Sequence, residues 1–467
     1  MLPGAREITR RRQNPSMATS AKEIQRVVND SQLRYKQLPT RAKFMLVFSL
    51  LFSLYLYWSI YKIVFTNDLQ SESFLETDKC PACYGMSACG FLLTDQVKLT
   101  GWSKLRFLDV VNVKNVHFGK HVYKEHNVVL KKLALDKELV EVDNEVCKDA
   151  NREPGCDIAR VIYKGSTPYS LKDKPILPKH LSSLTVSMFT CASYRLLDRM
   201  WSYYKERLNQ DDIMYRDKVQ LWYLSKVNTE PLVMQTFPAR EGWPFPEYYG
   251  ACGRFIVSEH GGRPLQEFYH ASFEKRVDIA YQIMKMALKM TENRDDFILY
   301  WTDIQYENFA VDAGGKVRII DAENIIVVDK MAVEATKPRG WNDLYESDFD
   351  ECNGENCLTF STNNLCRHVN SDHNYYAACR NLLSQYGSEP GMPGGLLHDM
   401  PDYAKNDWEL DGMLNECARP SKPKGRIIIK ERLIEALDQL RKMKPAKDIN
   451  VNILDALKTK DDSKTNE

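Results

Sequence analysis

Asp303, Asn308 and Asp321 stand close together in the stretch YWTDIQYENFAVDAGGKVRIIDAEN, residues 300–324. A hard divalent cation takes oxygen ligands, and one carboxylate with one amide oxygen leaves positions open for phosphate oxygens. A further carboxylate can then accept the proton of an attacking hydroxyl. The spacing fits that division, with Asp303 as proton acceptor and Asn308 and Asp321 as ligands of Mg2+ or Mn2+. The apolar runs on either side of Gly314-Gly315 read as a hairpin, which returns Asp321 to the neighbourhood of Asn308. Such residues also occur at the rim of ordinary hairpins, so the reading rests on what lies upstream.

Upstream, VVLKKL sets Lys131 near the end of a β-branched run, with Val129 placed to cover a nucleotide base. DKELVEVDNEVCKDA has Leu139, Val142 and Val146 at helical spacing. Glu138 on that segment is the expected partner of Lys131, and Glu141 one turn later is the alternative. SEHGGRPL, residues 258–265, reads as a hinge, with Glu259 facing the cofactor. Each residue taken singly is an ordinary surface charge. In this order they describe an ATP site.

The elements that must position them follow. LRFLDVVNVKNVHF, HNVVLKKLAL, PLVMQTF and GRFIVSEHGG read as strands. The region holding Pro154, Pro168, Pro175 and Pro178 reads as loop. EKRVDIAYQIMKMALKM is a strong helix, with Val277, Ala280, Met284, Ala287 and Leu288 on one face. The remainder, to about residue 445, is mostly helical. The expected fold is therefore α+β and two-lobed like a protein kinase, with a β-rich lobe over 99–260 and a helical lobe over 261–445. Residues 446–467 form a polar tail.

The first hundred residues carry a different message. Residues 1–43 hold ten Lys/Arg against three Asp/Glu. FMLVFSLLFSLYLYWSIY, residues 44–61, then runs uncharged for about 27 Å as a helix. The charge bias keeps the N-terminus cytoplasmic, and Tyr55, Tyr57, Trp58 and Tyr61 form an interfacial aromatic belt. This is a single-pass signal anchor, followed by a lumenal stem over residues 62–98. All twelve cysteines, Cys80, Cys83, Cys89, Cys147, Cys156, Cys191, Cys252, Cys352, Cys357, Cys366, Cys379 and Cys417, fall on the lumenal side. An even number in an oxidising compartment reads as disulfides, whose connectivity spacing alone does not give. The only usable N-glycosylation sequon, Asn29-Asp30-Ser31, is on the cytoplasmic side. A net charge of +1 leaves no basic excess for nucleic acid.

Several positions depart from the kinase pattern of H-R-D-L-x-x-x-N followed by D-F-G. Trp301-Thr302 replaces His-Arg, Gln305 replaces the loop lysine, and Asp321-Ala322-Glu323 replaces D-F-G. No glycine-rich loop precedes Lys131, since only Gly101 and Gly119 occur between residues 99 and 131, and no A-P-E follows. The blocks KCPACYG, LDVVNVKNV, EGWPFPEYYGACGR, DAEN, DHNYYAAC and GGLLHD are nevertheless specific. Through them the chain resembles the divergent protein kinase domain family, in its deleted-in-autism-related branch, over roughly residues 75–440. The resemblance implies a kinase-like protein of the Golgi or endoplasmic reticulum, with Lys131, Glu138, Asp303, Asn308 and Asp321 in kinase-type roles. Some members are secreted. No EF-hand signature is present, so no calcium loop is expected. Three functions fit: a kinase acting on a lumenal or secreted protein, a pseudokinase scaffold, and a secreted ligand for a receptor.

Overall fold

The computed structural model describes residues 39–65, 69, 71–104, 115–181, 187–349, 358–389 and 391–443. The chain divides into two compact units, Met1–Thr66 and Asn67–Glu467. The first contains α1 (Thr40–Phe65), four residues longer at each end than the apolar run. Its Thr40–Tyr61 portion, with a mean hydropathy of 1.7 and no buried face, is long and apolar enough to cross a membrane. Phe44, Phe48, Leu51 and Trp58 are all exposed. A helix apolar all round needs an apolar solvent or a protein core around it.

The second unit mixes helix and sheet. Its antiparallel sheet contains β1 (Val97–Leu99), β2 (Val116–His121), β3 (Asn127–Lys131), β4 (Tyr248–Cys252) and β5 (Phe255–Glu259), in the order β1-β2-β3-β5-β4. Strand alternation sends Val128 and Leu130 to one face and Val129 and Lys131 to the other. Leu75, Ala88 and Leu92 pack on the first face, against Val128, Leu130 and Val257. The segment expected as a lumenal stem thus contributes Leu69, Leu75, Ala88, Cys89 and Leu92 to the core on this face. Glu76 accepts hydrogen bonds from Lys132 and from Arg254, whose guanidinium also reaches Asp143 at 2.7 Å.

Between β3 and β4 lie α2 (Asp136–Asp149), α3 (Tyr194–Leu208), α4 (Tyr215–Val227) and α5 (Glu230–Thr236). The proline-rich region expected as loop folds into short helices instead, Ile158–Val161, Ser166–Ser170 and Pro178–Leu181. Pro168 and Pro178 sit in first turns, where a missing N–H costs nothing. PLVMQTF, expected as a strand, is mostly α5. Every residue of Glu230–Thr236 is buried, and a short apolar run has no periodicity to separate strand from buried helix.

The rest of the unit builds on α6 (Phe273–Thr291), capped by Ser272 Oγ accepting from the Lys275 N–H and burying Val277, Ala280, Met284 and Ala287. Short strands β6 (Arg263–Pro264), β8 (Phe309–Val311) and β9 (Val317–Ile319) form one sheet, and β7 (Phe297–Trp301) pairs with β10 (Ile325–Asp329) in another. Then come α7 (His373–Ala377), α8 (Leu410–Ala418) and α9 (Gly425–Lys442), the last packed on α6 and α8. Five disulfides are described: Cys80–Cys83, Cys89–Cys252, Cys147–Cys156, Cys191–Cys366 and Cys379–Cys417. Among the described residues no cysteine is free. Cys352 and Cys357 lie outside them, as do residues 105–114 of the expected first strand and the 446–467 tail.

Candidate functional site

A cleft of about 660 Å³ lies against the Val129 and Lys131 face of the five-stranded sheet, and its wall includes Val129, Lys131, Glu138, Glu259, Asp303, Asn308 and Asp321. Two glycines shape the entrance. At Gly262 a Cβ would lie 2.1 Å from the Val311 carbonyl oxygen, on a backbone of φ +117°, and at Gly261 one would lie 2.3 Å from Ile320. Only glycine lets the chain leaving β5 pass this close to the β8–β9 hairpin.

Lys131 reaches across the cleft. Its ammonium donates to Glu230 Oε1 at 2.8 Å and to the Ile320 carbonyl at 2.5 Å, one residue before Asp321. Glu138 is not its partner. That carboxylate turns back to its own helix end, where Oε2 accepts from the Leu135 N–H at 2.7 Å. The physical reason is position: Glu138 belongs to the first turn of α2, whose exposed backbone N–H groups attract an acid. Glu230 is instead the first residue of α5 and is 3% exposed.

The hairpin behaves as its spacing suggested. Phe309 pairs with Ile319, and the Ile320 N–H donates to the Asn308 carbonyl at 2.8 Å. Asp303, Asn308 and Asp321 all border one small cavity of about 10 Å³. Asp303 Oδ2 accepts from Asn324, and the Asn308 amide donates to the Asp303 carbonyl at 3.5 Å. Burial, reinforced by Asp321, raises the Asp303 pKa. Glu323, in the position of the missing glycine, points toward the cleft. Its carboxylate accepts from Asn228 at 2.5 Å and from Asn324 at 3.4 Å, and burial and Asp321 raise its pKa. Glu259 stands at the rim, where Oε2 accepts from the Glu247 N–H.

The carboxylates of Glu230, Asp303, Asp321 and Glu323 therefore gather around Lys131, while Lys132, also on the cleft wall, is taken by Glu76 and Asp136. Among the described residues no three acid, histidine or cysteine side chains stand at metal-ligand geometry. The donor set still suits a hard cation, because the acids outnumber the lysine and Asp321 and Asn308 offer oxygen.

Sequence reasoning missed two parts of this site. One is the Asn228-Thr229-Glu230 corner, which holds both Lys131 and Glu323 and whose signal was a lone acid before Pro231 in an apolar run. The other is a brace under the loop that carries Asp303. The Trp301 N–H donates to Asn374 Oδ1 at 3.0 Å, and the Trp301 carbonyl accepts from His373 Nε2 at 2.6 Å. Asn374 also donates to the Leu299 carbonyl and to Thr291. Burial lowers the His373 pKa to about 4, so the ring is neutral. Its Nε2 carries the proton, and Nδ1 accepts from Ser347 at 3.0 Å. Asp372, beside them, forms a fully buried ion pair with Arg426.

A sheet lysine clasped by a buried helix glutamate, above a loop aspartate and a hairpin aspartate, defines a kinase-like domain. A family model described as the protein-kinase domain of FAM69 matches residues 221–420. Divergent protein kinase domain 2A of Xenopus tropicalis is 42% identical over 383 residues, which are 80% of this chain and 89% of that protein. The Homo sapiens 2A protein is 41% identical over 384 residues, with the same coverage of 80% and 89%. Divergent protein kinase domain 2B of Bos taurus is 28% identical over 385 residues, 80% of this chain and 85% of its own. The chain belongs to the divergent protein kinase domain family.

Proposed function

We propose that this protein transfers the γ-phosphate of ATP to a hydroxyl of a lumenal or secreted protein. The observation that carries the reading is the Lys131–Glu230 pair, held at 2.8 Å above the cavity shared by Asp303, Asn308 and Asp321. The sheet and the helical part act as two lobes around the nucleotide. Lys131 contacts its phosphates, and Val129 and the backbone near Glu259 border the base. Asn308 and Asp321 would hold Mg2+ or Mn2+, which supplies charge neutralisation at the phosphates when bound. Phosphate oxygens complete a shell that the protein alone leaves open. Asp303 receives the proton of the acceptor hydroxyl, a task suited by its raised pKa. The basic N-terminal tail and α1 make it a type II membrane protein of the Golgi or endoplasmic reticulum, and the disulfides suit that oxidising lumen.

Thermal shift of the purified full chain with ATP and each metal tests this. Asp321→Ala should abolish the metal-dependent stabilisation. Asp303→Ala should keep it and lower phosphate transfer by about 10²–10⁴-fold. Glu323 at the glycine position favours a second reading, a nucleotide-binding pseudokinase that serves as a scaffold. Binding without transfer in the wild type supports that reading, and no shift with any nucleotide overturns both.

A further inference from the structure

A second cavity, of about 750 Å³, opens between α6, residues 241–244 and the β8–β9 turn, and shares no lining residue with the cleft. Its floor is apolar, with Pro244, Met286, Leu288 and Val317. Its rim carries acids and bases in similar number, but their situations differ. Glu241 is engaged by Arg199 at 2.7 Å and by Tyr203, Asp295 lies 3.5 Å from Arg199, and Glu292 is paired with Lys430. Glu241 and Asp295 share Arg199 and Glu292 takes Lys430, neither cation lining the cavity, so three acids face these two and the four lining bases Lys285, Lys289, Arg294 and Lys316.

Three of the bases lack such partners. Lys285 and Lys289 are one helical turn apart, a like-charge spacing that destabilises a helix. Lys289 donates only to the Glu241 backbone carbonyl, at 3.0 Å, and lies over the Trp243 ring. Lys316 stands on the facing turn, where burial and then Arg318 lower its pKa against the pull of Asp312 and Glu259. Among the described residues none of these three lysines has a carboxylate within ion-pair distance.

We propose that this cavity docks an acidic stretch of a partner polypeptide, its carboxylates meeting Lys285, Lys289 and Lys316 and its interleaved apolar side chains covering the floor. The three cations are spread over two elements around an apolar base, so they match carboxylates spaced along a chain. Lys316 lies on the hairpin that leads to Asp321, five residues on, a span of about 17 Å when extended. A docked partner thereby presents its neighbouring residues to the cleft. That the partner is the phosphate acceptor rests on the proposed activity, whereas the docking itself does not.

The test is fluorescence anisotropy of the full chain in detergent, without nucleotide. The probe is a labelled Glu-Leu-Glu-Glu-Leu-Glu-Leu-Glu peptide, compared with the same peptide carrying lysine for glutamate. Saturable binding of the acidic peptide alone is expected. The combined K285E, K289E and K316E variant should weaken it by about tenfold, since exposed ion pairs are individually weak and three are lost together. K137E, K148E and K172E, an equal charge change on exposed lysines elsewhere, should leave it unchanged. Equal binding of the basic peptide, no binding of the acidic one, or full affinity in the first variant at an unchanged melting temperature overturns the proposal. A chain that binds the acidic peptide in this way but transfers no phosphate supports the docking site and removes the activity.

Discussion

Lys131 and Glu230 are 99 positions apart in sequence and 2.8 Å apart in space. Everything from α2 to α4 is inserted between the two halves of one ion pair. Glu230 meets the lysine because Asn228 and Thr229 turn the chain between α4 and α5, and the Asn228 side chain accepts from the Glu230 N–H at 2.8 Å.

Removing Glu230 should therefore be more damaging than removing Glu138. Glu230→Ala removes one of the two groups that accept from the Lys131 ammonium and should cost about 1.5–3 kcal/mol. Glu138→Ala loses only a helix-end contact, worth about 1 kcal/mol, and should leave nucleotide binding intact. Urea unfolding of both variants, with nucleotide thermal shift beside it, separates them. Equal losses would mean that the pairing is wrong.

The same cluster makes stability depend on pH. Burial pushes the Glu230 pKa up from 4.5 to about 7, against the pull of Lys131. Burial alone would lower the lysine, but Glu230 and Asp321 outweigh it and hold its pKa up. Asp303 and Glu323 are raised by burial in the same way as Glu230, so the cluster as a whole binds protons more readily than free carboxylates. A carboxylate that protonates more readily in the folded chain stabilises the fold fully below its unfolded pKa. That contribution is lost as pH rises through about 7. The unliganded protein should thus be more stable in mildly acid than in mildly alkaline buffer, and Glu230→Gln should flatten the difference. A denaturant midpoint that rises with pH over that window would contradict this.

Asn374→Ala should leave the Trp301 N–H and the Leu299 carbonyl buried without partners. Each unsatisfied group costs about 1–3 kcal/mol. Because Trp301 leads directly into Asp303, a folded preparation should lose more phosphate transfer than nucleotide binding. Asn374→Asp keeps one acceptor and should recover part of the stability. An Asn374→Ala protein with wild-type melting and transfer would remove the brace from the argument.

The disulfides should rank by the chain they close. Cys89–Cys252 spans 163 residues and Cys80–Cys83 spans 3. In the loop-entropy account the longer closure stabilises more, within about 2–5 kcal/mol for a native bridge. Paired Cys→Ser variants compared by denaturant midpoint should show the larger loss at Cys89 and Cys252.

What the sequence made legible was local. The β8–β9 hairpin, the α6 stripe and the Asp303–Asn308–Asp321 spacing all lie within short windows where periodicity and turn chemistry act. Glu138 seemed the lysine's partner because it was the first glutamate on the next amphipathic segment. Glu230 was hidden by distance and by an α5 too buried to show a helical pattern. The His373–Asn374 brace was invisible for a related reason, since its role is set by tertiary contact with β7 and by no local rule. The segment around Leu75 and Leu92 looked like a stem because short apolar pieces without periodicity do not reveal which sheet they cover.

The complete burial of α5 has a consequence for control. Protein kinases are commonly switched through the position of the helix that carries the lysine's partner. Here an outward swing would expose Leu232, Val233, Met234 and the adjoining Phe237, each 3% exposed or less. At about 1.5–3 kcal/mol per side chain, that approaches the whole stability of a domain. The Lys131–Glu230 clasp is therefore set when the chain folds, and moving α5 outward would cost about as much as unfolding the domain around it.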